Sequence, residues 1–312
     1  MNQQNKRKTQ GFSLIELALV LLIGGLAFGM IVGVTGSLRE GQQRSTIRTQ
    51  LETIDTALAN FVTQYKRLPC PANGTIASDI PGAGQETLSA GPPPATLPPK
   101  GTCDPNNQLN GVVPWITLGL SEADITDPWG GRISYRVDPA LAAGSPFPAL
   151  MDMSNCDPSS LAPTPPFPAI SACKTPVPSC TNTTGCTSPT EFLFNKGLDV
   201  WDGVNGATGW SVRQNNRGAG TGAAYVLISH GVSGTAAYNA KGLLQPGSIA
   251  AGANEIPNRN NNPLILPATL ASTYRDAAMD DRVSATHFDD YLSHPTIMTV
   301  LMKANLGPRA HP

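Results

Sequence analysis

The rule governing apolar positions changes twice along this chain. From Phe12 to Val34 the run is almost unbroken, and the one charge inside it is Glu16. Beyond it, Ile47, Leu51, Ile54, Leu58, Phe61 and Tyr65 recur at spacings of 4, 3, 4, 3 and 4, a single stripe on an amphipathic helix. Arg39, Glu40, Arg44, Arg48, Glu52 and Asp55 make up the polar remainder. Leu68-Pro69-Cys70-Pro71 ends the pattern, because proline cannot continue a helix. The spacing therefore predicts one long helix from Phe12 to about Tyr65. Its first half (12–36) is apolar all round, and its second half (37–66) lies on a sheet. Gly33, Gly36 and Gly41 soften the junction between them.

Past residue 67 the pattern becomes that of strands and turns. Residues 71–110 are rich in proline and glycine (Gly91-Pro92-Pro93-Pro94, Pro98-Pro99) and read as a long connection with little regular structure. Asp127-Pro128-Trp129-Gly130 is a turn, and the following strand alternates, with Ile133, Tyr135 and Val137 on one face. Residues 139–190 form a Pro/Cys/Ser/Thr-rich insertion too poor in large apolar residues to build its own core. Tyr225-Val226-Leu227-Ile228-Ser229 is the strongest buried-strand signal, running into a glycine turn at His230-Gly231. The C-terminal part, 279–283 and then 287–292, has the pattern of a closing strand and a short helix. The fold class expected is α+β: a long N-terminal helix packed on an antiparallel sheet, in a head (67–312) with long loops.

Composition narrows the setting. With 312 residues the chain can bury a sizeable core, and a net charge of −1 gives no electrostatic basis for binding nucleic acid. Cys70, Cys103, Cys156, Cys173, Cys180 and Cys186 all follow the apolar run. An even number there reads as a disulfide framework in an oxidising compartment, and no C-x-x-C spacing favours a metal. Cys70 and Cys103 flank the proline-rich connection and suit a staple. Cys180 with Cys186 and Cys156 with Cys173 would complete one of the fifteen connectivities.

The N-terminal run of 21 to 23 residues would extend about 33 Å as a helix, enough to cross a bilayer. Lys6, Arg7 and Lys8 before it place the N-terminus in the cytoplasm. A cleaved secretory signal is disfavoured by the length of the run and the lack of a small-x-small site after it. A plain anchor has no reason to keep Glu16. The stretch K-T-Q-G-F-S-L-I-E-L, residues 8–17, resembles the processing site of type IV pilins and type II secretion pseudopilins. The resemblance implies that residues 1–11 are a leader cut off after Gly11 by prepilin peptidase, with Phe12 the methylated N-terminus. Glu16 is then the fifth mature residue, which pairs with a free amino terminus during assembly. A new ammonium at Phe12 and a carboxylate at Glu16 would each be costly in the apolar layer alone and would neutralise each other together. Gly25, Gly29 and Gly33 permit close helix contact. Asp127-Pro128-Trp129-Gly130 is similar to a motif of major pseudopilins, and the Ser-x-Gly turn at Ser229 is a softer likeness.

Other chemistry is weakly supported. Ser229-His230 lacks a G-x-S-x-G elbow, and Gly218-Ala219-Gly220-Thr221-Gly222 lacks the strand–helix context of a phosphate loop. Some major pseudopilins bind calcium near the C-terminal loop. The resemblance makes Asp280, Asp281, Asp289 and Asp290 candidate ligands for a structural Ca2+, with Asp124 and Asp127, or Asp199 and Asp202, elsewhere. His287 beside Asp289 and Asp290 is a second donor set, suited to a transition metal. No other cofactor and no catalysis are expected. The sequence thus describes a minor pilin or pseudopilin of a type IV pilus or type II secretion pseudopilus. Other pilins and an inner-membrane assembly platform are its expected partners. It would pass once through the bacterial inner membrane, head in the periplasm, before entering the filament. The alternatives are a pilus-associated adhesin using the 139–190 insertion and, further off, a membrane-anchored exported enzyme.

Overall fold

The computed structural model describes residues 14–88, 103–104, 111–142, 151, 193–203, 213–248, 252–260, 274–280 and 282–307, with backbone alone for 26–39 and 139–140. The chain divides into two compact units, Met1–Thr46 and Ile47–Pro312. Helix α1 (Leu14–Tyr65) is assigned without interruption over 52 residues and contributes to both.

In the second unit the expected stripe is buried: Ile47, Leu51, Ile54, Leu58 and Phe61, joined by Ala59 and Val62. Burying one such leucine or isoleucine contributes about 1.5–3 kcal/mol, so packing rather than helix propensity holds this half of α1. Tyr65, at the end of the stripe, is 38 % exposed, and its ring sits 4.4 Å from that of Phe61. Lys66 closes the helix in a left-handed conformation (φ +57°), its N–H donating to Val62 O, and Pro69 bars continuation. Asp55, one of the polar remainder, has a packing role. It accepts hydrogen bonds from Tyr225 Oη (2.9 Å) and Ser293 Oγ (2.8 Å) and so pins the helix to the sheet. Burial pushes its carboxyl above the ordinary value, and the two donors pull it back.

The strands are β1 (Ala72–Asn73), β2 (Gly111–Val112), β3 (Ser134–Val137), β4 (Val200–Trp201), β5 (Arg213–Asn215), β6 (Tyr225–Ser229), β7 (Tyr274–Arg275) and β8 (Tyr291–Ser293). Five form one sheet in the order β1-β2-β3-β6-β8, antiparallel throughout. The longest pairing is β3 with β6, Ser134 opposite Ile228 and Val137 opposite Tyr225. Side chains alternate across β6: Tyr225 and Leu227 pack in the cluster that contains the α1 stripe, together with Tyr135 and Val137 of β3. Val226 and Ile228 point the other way, onto Leu198, Val200, Ala223 and Tyr274. That second layer is a small sheet ordered β5-β4-β7, in which β4 and β7 are parallel. Burial on both faces explains why Tyr225–Ile228 is a continuous apolar run rather than an alternating one.

Short helices α2 (Trp115–Leu118), α3 (Glu122–Ile125) and α4 (Pro139–Ala142) connect the strands, and α5 (Ile297–Lys303) closes the C-terminus. The C-terminal reading needs correction: 291–293 is strand, and the helix lies further on. Thr296 caps α5 by accepting from Thr299 N, and a Thr-x-x-Thr pair after proline was the available signal. Within the 139–190 insertion, Leu141, Ala142 and Met151 are buried in the main core. The remainder of it, with Cys156, Cys173, Cys180 and Cys186, lies outside the described residues.

Cys70 and Cys103 form the expected disulfide, across a sequence separation of 33. Beside it, Arg67 and Glu86 make a paired contact of two 2.8 Å hydrogen bonds, and Glu86 also accepts from Cys70 N at 3.0 Å. Part of the connection is therefore tightly held. For a closed loop of this size the chain-entropy model gives about 3–4 kcal/mol. The Cys70→Ala/Cys103→Ala double variant should lower the unfolding free energy by about that amount in a urea titration. A midpoint equal to the parent's would show that the carboxylate contacts alone hold the segment.

Candidate functional site

The first unit presents an apolar surface on a helix. Leu14, Ile15, Leu17, Leu19, Val20, Leu21, Leu22 and Ile23 are each more than half exposed, and the positions at Gly24 and Gly25 are open. A helix that is apolar on every side needs cover, from lipid or from other helices. Glu16 sits in its first turn, where a carboxylate complements the unsatisfied N–H groups of the helix start. Gly11 and Phe12 lie outside the described residues. Among the described residues no helix is long and apolar enough to cross a membrane.

In the second unit, two of the turns singled out from sequence are bonded to each other. Asp127 Oδ1 accepts from Trp129 N (3.0 Å) and Gly131 N (2.8 Å), which shapes the Asp-Pro-Trp-Gly turn. Its Oδ2 accepts from Ser229 Oγ at 2.7 Å, at the end of β6. Burial raises the Asp127 carboxyl above its ordinary value, opposed by these donors. Gly131 is required there, since a Cβ would come within 2.9 Å of Ala237 Cβ. Trp129 stacks on Tyr291 of β8, ring centroids 5.7 Å apart. The turn thus locks β8 onto the sheet, a structural role.

Behind β3 and β6 lies a buried polar layer that the sequence did not disclose. Arg136 donates to Gly111 O (2.7 Å) and Asn260 Oδ1 (2.6 Å). Asn260 Nδ2 donates to Ser134 Oγ at 2.8 Å. Ser134 Oγ lies 3.0 Å from His230 Nε2, and His230 Nδ1 lies 3.4 Å from Asp290 Oδ1. Serine, histidine and aspartate follow the order of a hydrolase triad. Ser134 is 0 % exposed, however, and a nucleophile must meet its substrate. The arrangement satisfies buried polar groups.

The acidic residues of the C-terminal region do not gather at one point. Asp280 accepts from Arg282 Nε (2.7 Å) and Thr286 Oγ1 (2.8 Å), and these partners hold its carboxyl well below the ordinary value. Asp281 lies outside the described residues. Asp290 turns to His230 and to Asn258 Nδ2, which donates at 2.8 Å. Asp289 faces the other way, towards His287 and Glu255. Glu255, absent from the sequence reading, comes from the loop 252–258. His287 Nε2 is 3.6 Å from Glu255 Oε1 and 3.7 Å from Asp289 Oδ1. The three donor atoms lie within 4.8 Å of one another, and all three residues are buried. Burial and the neighbouring Asp290 charge push the Glu255 carboxyl up to about 8. No sequence signal could have paired Glu255 with residues more than thirty positions away.

Residues 6–32 match the family model of the prokaryotic N-terminal methylation motif. No curated protein and no solved structure matches the chain.

Proposed function

From an N-terminus of the type IV pilin and pseudopilin prepilin type, we propose that this chain is a minor pilin or pseudopilin. In this reading it is cut after Gly11 by prepilin peptidase, methylated at Phe12 and assembled through α1 into a type IV pilus or type II secretion pseudopilus. The methylation motif at residues 6–32 is the observation that carries the reading, and it points to a structural protein rather than an enzyme. The exposed apolar helix supports it, because lipid before assembly and neighbouring helices after it would supply the missing cover. The antiparallel sheet laid on the second half of α1 supports a displayed head. The size of that head and its insertion at 139–190 favour a minor subunit over the repeating one.

Processing is testable directly. Mass spectrometry of the wild-type protein, expressed with a prepilin peptidase, should find a methylated N-terminus at Phe12. The Gly11→Val variant should retain residues 1–11. A Gly11→Val protein still beginning at Phe12 would refute the processing step.

A further inference from the structure

We propose that Glu255, His287 and Asp289 form a binding site for one divalent transition-metal ion, of the chemical class of Zn2+, built into the head. The inference is independent of the subunit reading, since it rests only on the second unit.

The histidine shows its direction. Nδ1 lies 3.2 Å from the carbonyl oxygen of Arg282. A carbonyl can only accept, so Nδ1 carries the proton and, in the neutral ring, Nε2 presents a lone pair. This Nε2 is buried and has no hydrogen-bond partner among the described residues. It faces two carboxylate oxygens at 3.6 and 3.7 Å. Three sets of lone pairs converging in a buried space repel unless a cation or a shared proton lies between them. A proton on Nε2 would be too far from either oxygen for a normal hydrogen bond. An ion with bonds of about 2.1 Å, its ligands some 110–120° apart, places donor atoms about 3.4–3.7 Å from one another. The two distances from His287 Nε2, 3.6 and 3.7 Å, agree with this spacing, and all three donor atoms lie within 4.8 Å of one another.

Each donor is also held from behind, the arrangement that orients ligands around metals. Asp289 Oδ1 accepts from Ser233 Oγ (2.9 Å) and Oδ2 from Ser233 N (2.6 Å). Glu255 Oε1 accepts from Asp289 N (2.8 Å) and Oε2 from Gly252 N (3.1 Å). The backbone closes around these residues so tightly that a Cβ on Gly252 would lie 2.0 Å from His287 O, and one on Gly231 would lie 2.1 Å from Asp289 O. Once metal binding has displaced any proton held between them, two carboxylates and a neutral imidazole balance a divalent ion, removing the cost of buried net charge. Calcium prefers six to eight oxygens at longer distances. Imidazole nitrogen with few donors selects a transition metal instead. The ion would tie the loop 252–258 to the segment 282–289 and, through Ser233, to the turn after β6.

The test uses purified full-length protein without an affinity tag, in detergent, stripped with a chelator and titrated with Zn2+ or Ca2+ alone. One Zn2+ per chain should bind, and the thermal midpoint should rise with Zn2+ and not with Ca2+. Co2+ should give the visible absorption of a low-coordinate site with a nitrogen ligand. His287→Gln should weaken Zn2+ binding by about a hundredfold or more. Ser233→Ala, which keeps all three donors and the backbone N–H bond to Asp289 Oδ2 but removes the hydroxyl bond to Oδ1, should weaken it by about tenfold. Absence of stoichiometric Zn2+ binding to the parent protein overturns the proposal, as does a larger response to Ca2+. Binding by a folded His287→Gln variant equal to the parent's overturns it too. Should His287→Gln not fold, the Co2+ spectrum of the parent and the Ser233→Ala affinity decide.

Discussion

Replacing Glu16 with alanine is expected to leave membrane insertion and cleavage intact while removing the protein from filaments. The side chain lies in the first turn of α1, at the start of an exposed apolar helix. Removing a carboxylate makes that segment more apolar, so entry into lipid should not suffer. On the proposed reading, what the variant would lose is the partner for the ammonium that cleavage after Gly11 would create at Phe12. In an apolar filament core, an ammonium left without a counter-charge costs more than the pair it replaces. Glu16→Gln separates charge from size, and it should fail as alanine does if neutralisation is the reason. Sheared filaments and membranes, separated and probed for the subunit, would read the outcome. Equal amounts of Glu16→Ala and parent protein in the filament fraction would refute the assembly role.

A large effect on the head is expected from a single substitution at Arg132. This guanidinium is 0 % exposed, and its donors reach three segments. Nε donates to Glu122 Oε1 at 2.8 Å. Nη1 donates to the carbonyls of Gly74 (3.2 Å) and Ile76 (2.7 Å). Nη2 donates to Ser78 Oγ (3.0 Å) and Ala240 O (3.2 Å). The group also lies over the Trp115 ring, 5.0 Å from its centroid. Methionine fills similar volume without donors, so Arg132→Met would remove the charged partner of Glu122, leaving it the Ser78 hydroxyl, and the donors to the Gly74 and Ile76 carbonyls. Breaking a buried pair costs about 3–5 kcal/mol. Glu122 keeps 25 % side-chain exposure, which places the expected loss near the lower end, about 3 kcal/mol. In thermal unfolding this is roughly 6–12 °C at 2–4 °C per kcal/mol for a domain of this size. A loss under about 1 kcal/mol would mean that water replaces the guanidinium at little cost.

Arg132 follows directly on the Asp-Pro-Trp-Gly-Gly turn, and it shows where sequence reading stops. The turn was legible because its residues encode their own geometry: an Asx acceptor, a proline and two glycines. Nothing local says that the next arginine gathers the carbonyls of 74, 76 and 240, since those groups are brought together only by the fold. The same division holds along α1. The spacing of Ile47 to Phe61 reveals a helix with one buried face, because 3.6 residues per turn is a property of the backbone itself. Asp55, one position after Ile54, stood out in the pattern only as one of the polar remainder, yet it accepts from Tyr225 and Ser293 on two different strands.

In the C-terminal region the sequence marked His287 and Asp289 as a donor pair and added Asp290, their neighbour. The structure sends Asp290 to His230 and brings Glu255 in from another loop. Successive residues in extended chain point to opposite sides, so adjacency in sequence argued against shared ligation. By itself, then, the sequence determined the prepilin-type N-terminus, the long helix, the buried strand of β6 and the Cys70–Cys103 staple. These depend on local chemistry, on backbone periodicity or on cysteines placed around one loop. Tertiary structure alone decided the second small sheet, the buried polar layer and the Glu255–His287–Asp289 cluster. Each of these joins groups far apart in the chain, and only a packed core, where unpaired polar atoms are costly, makes such partners find each other.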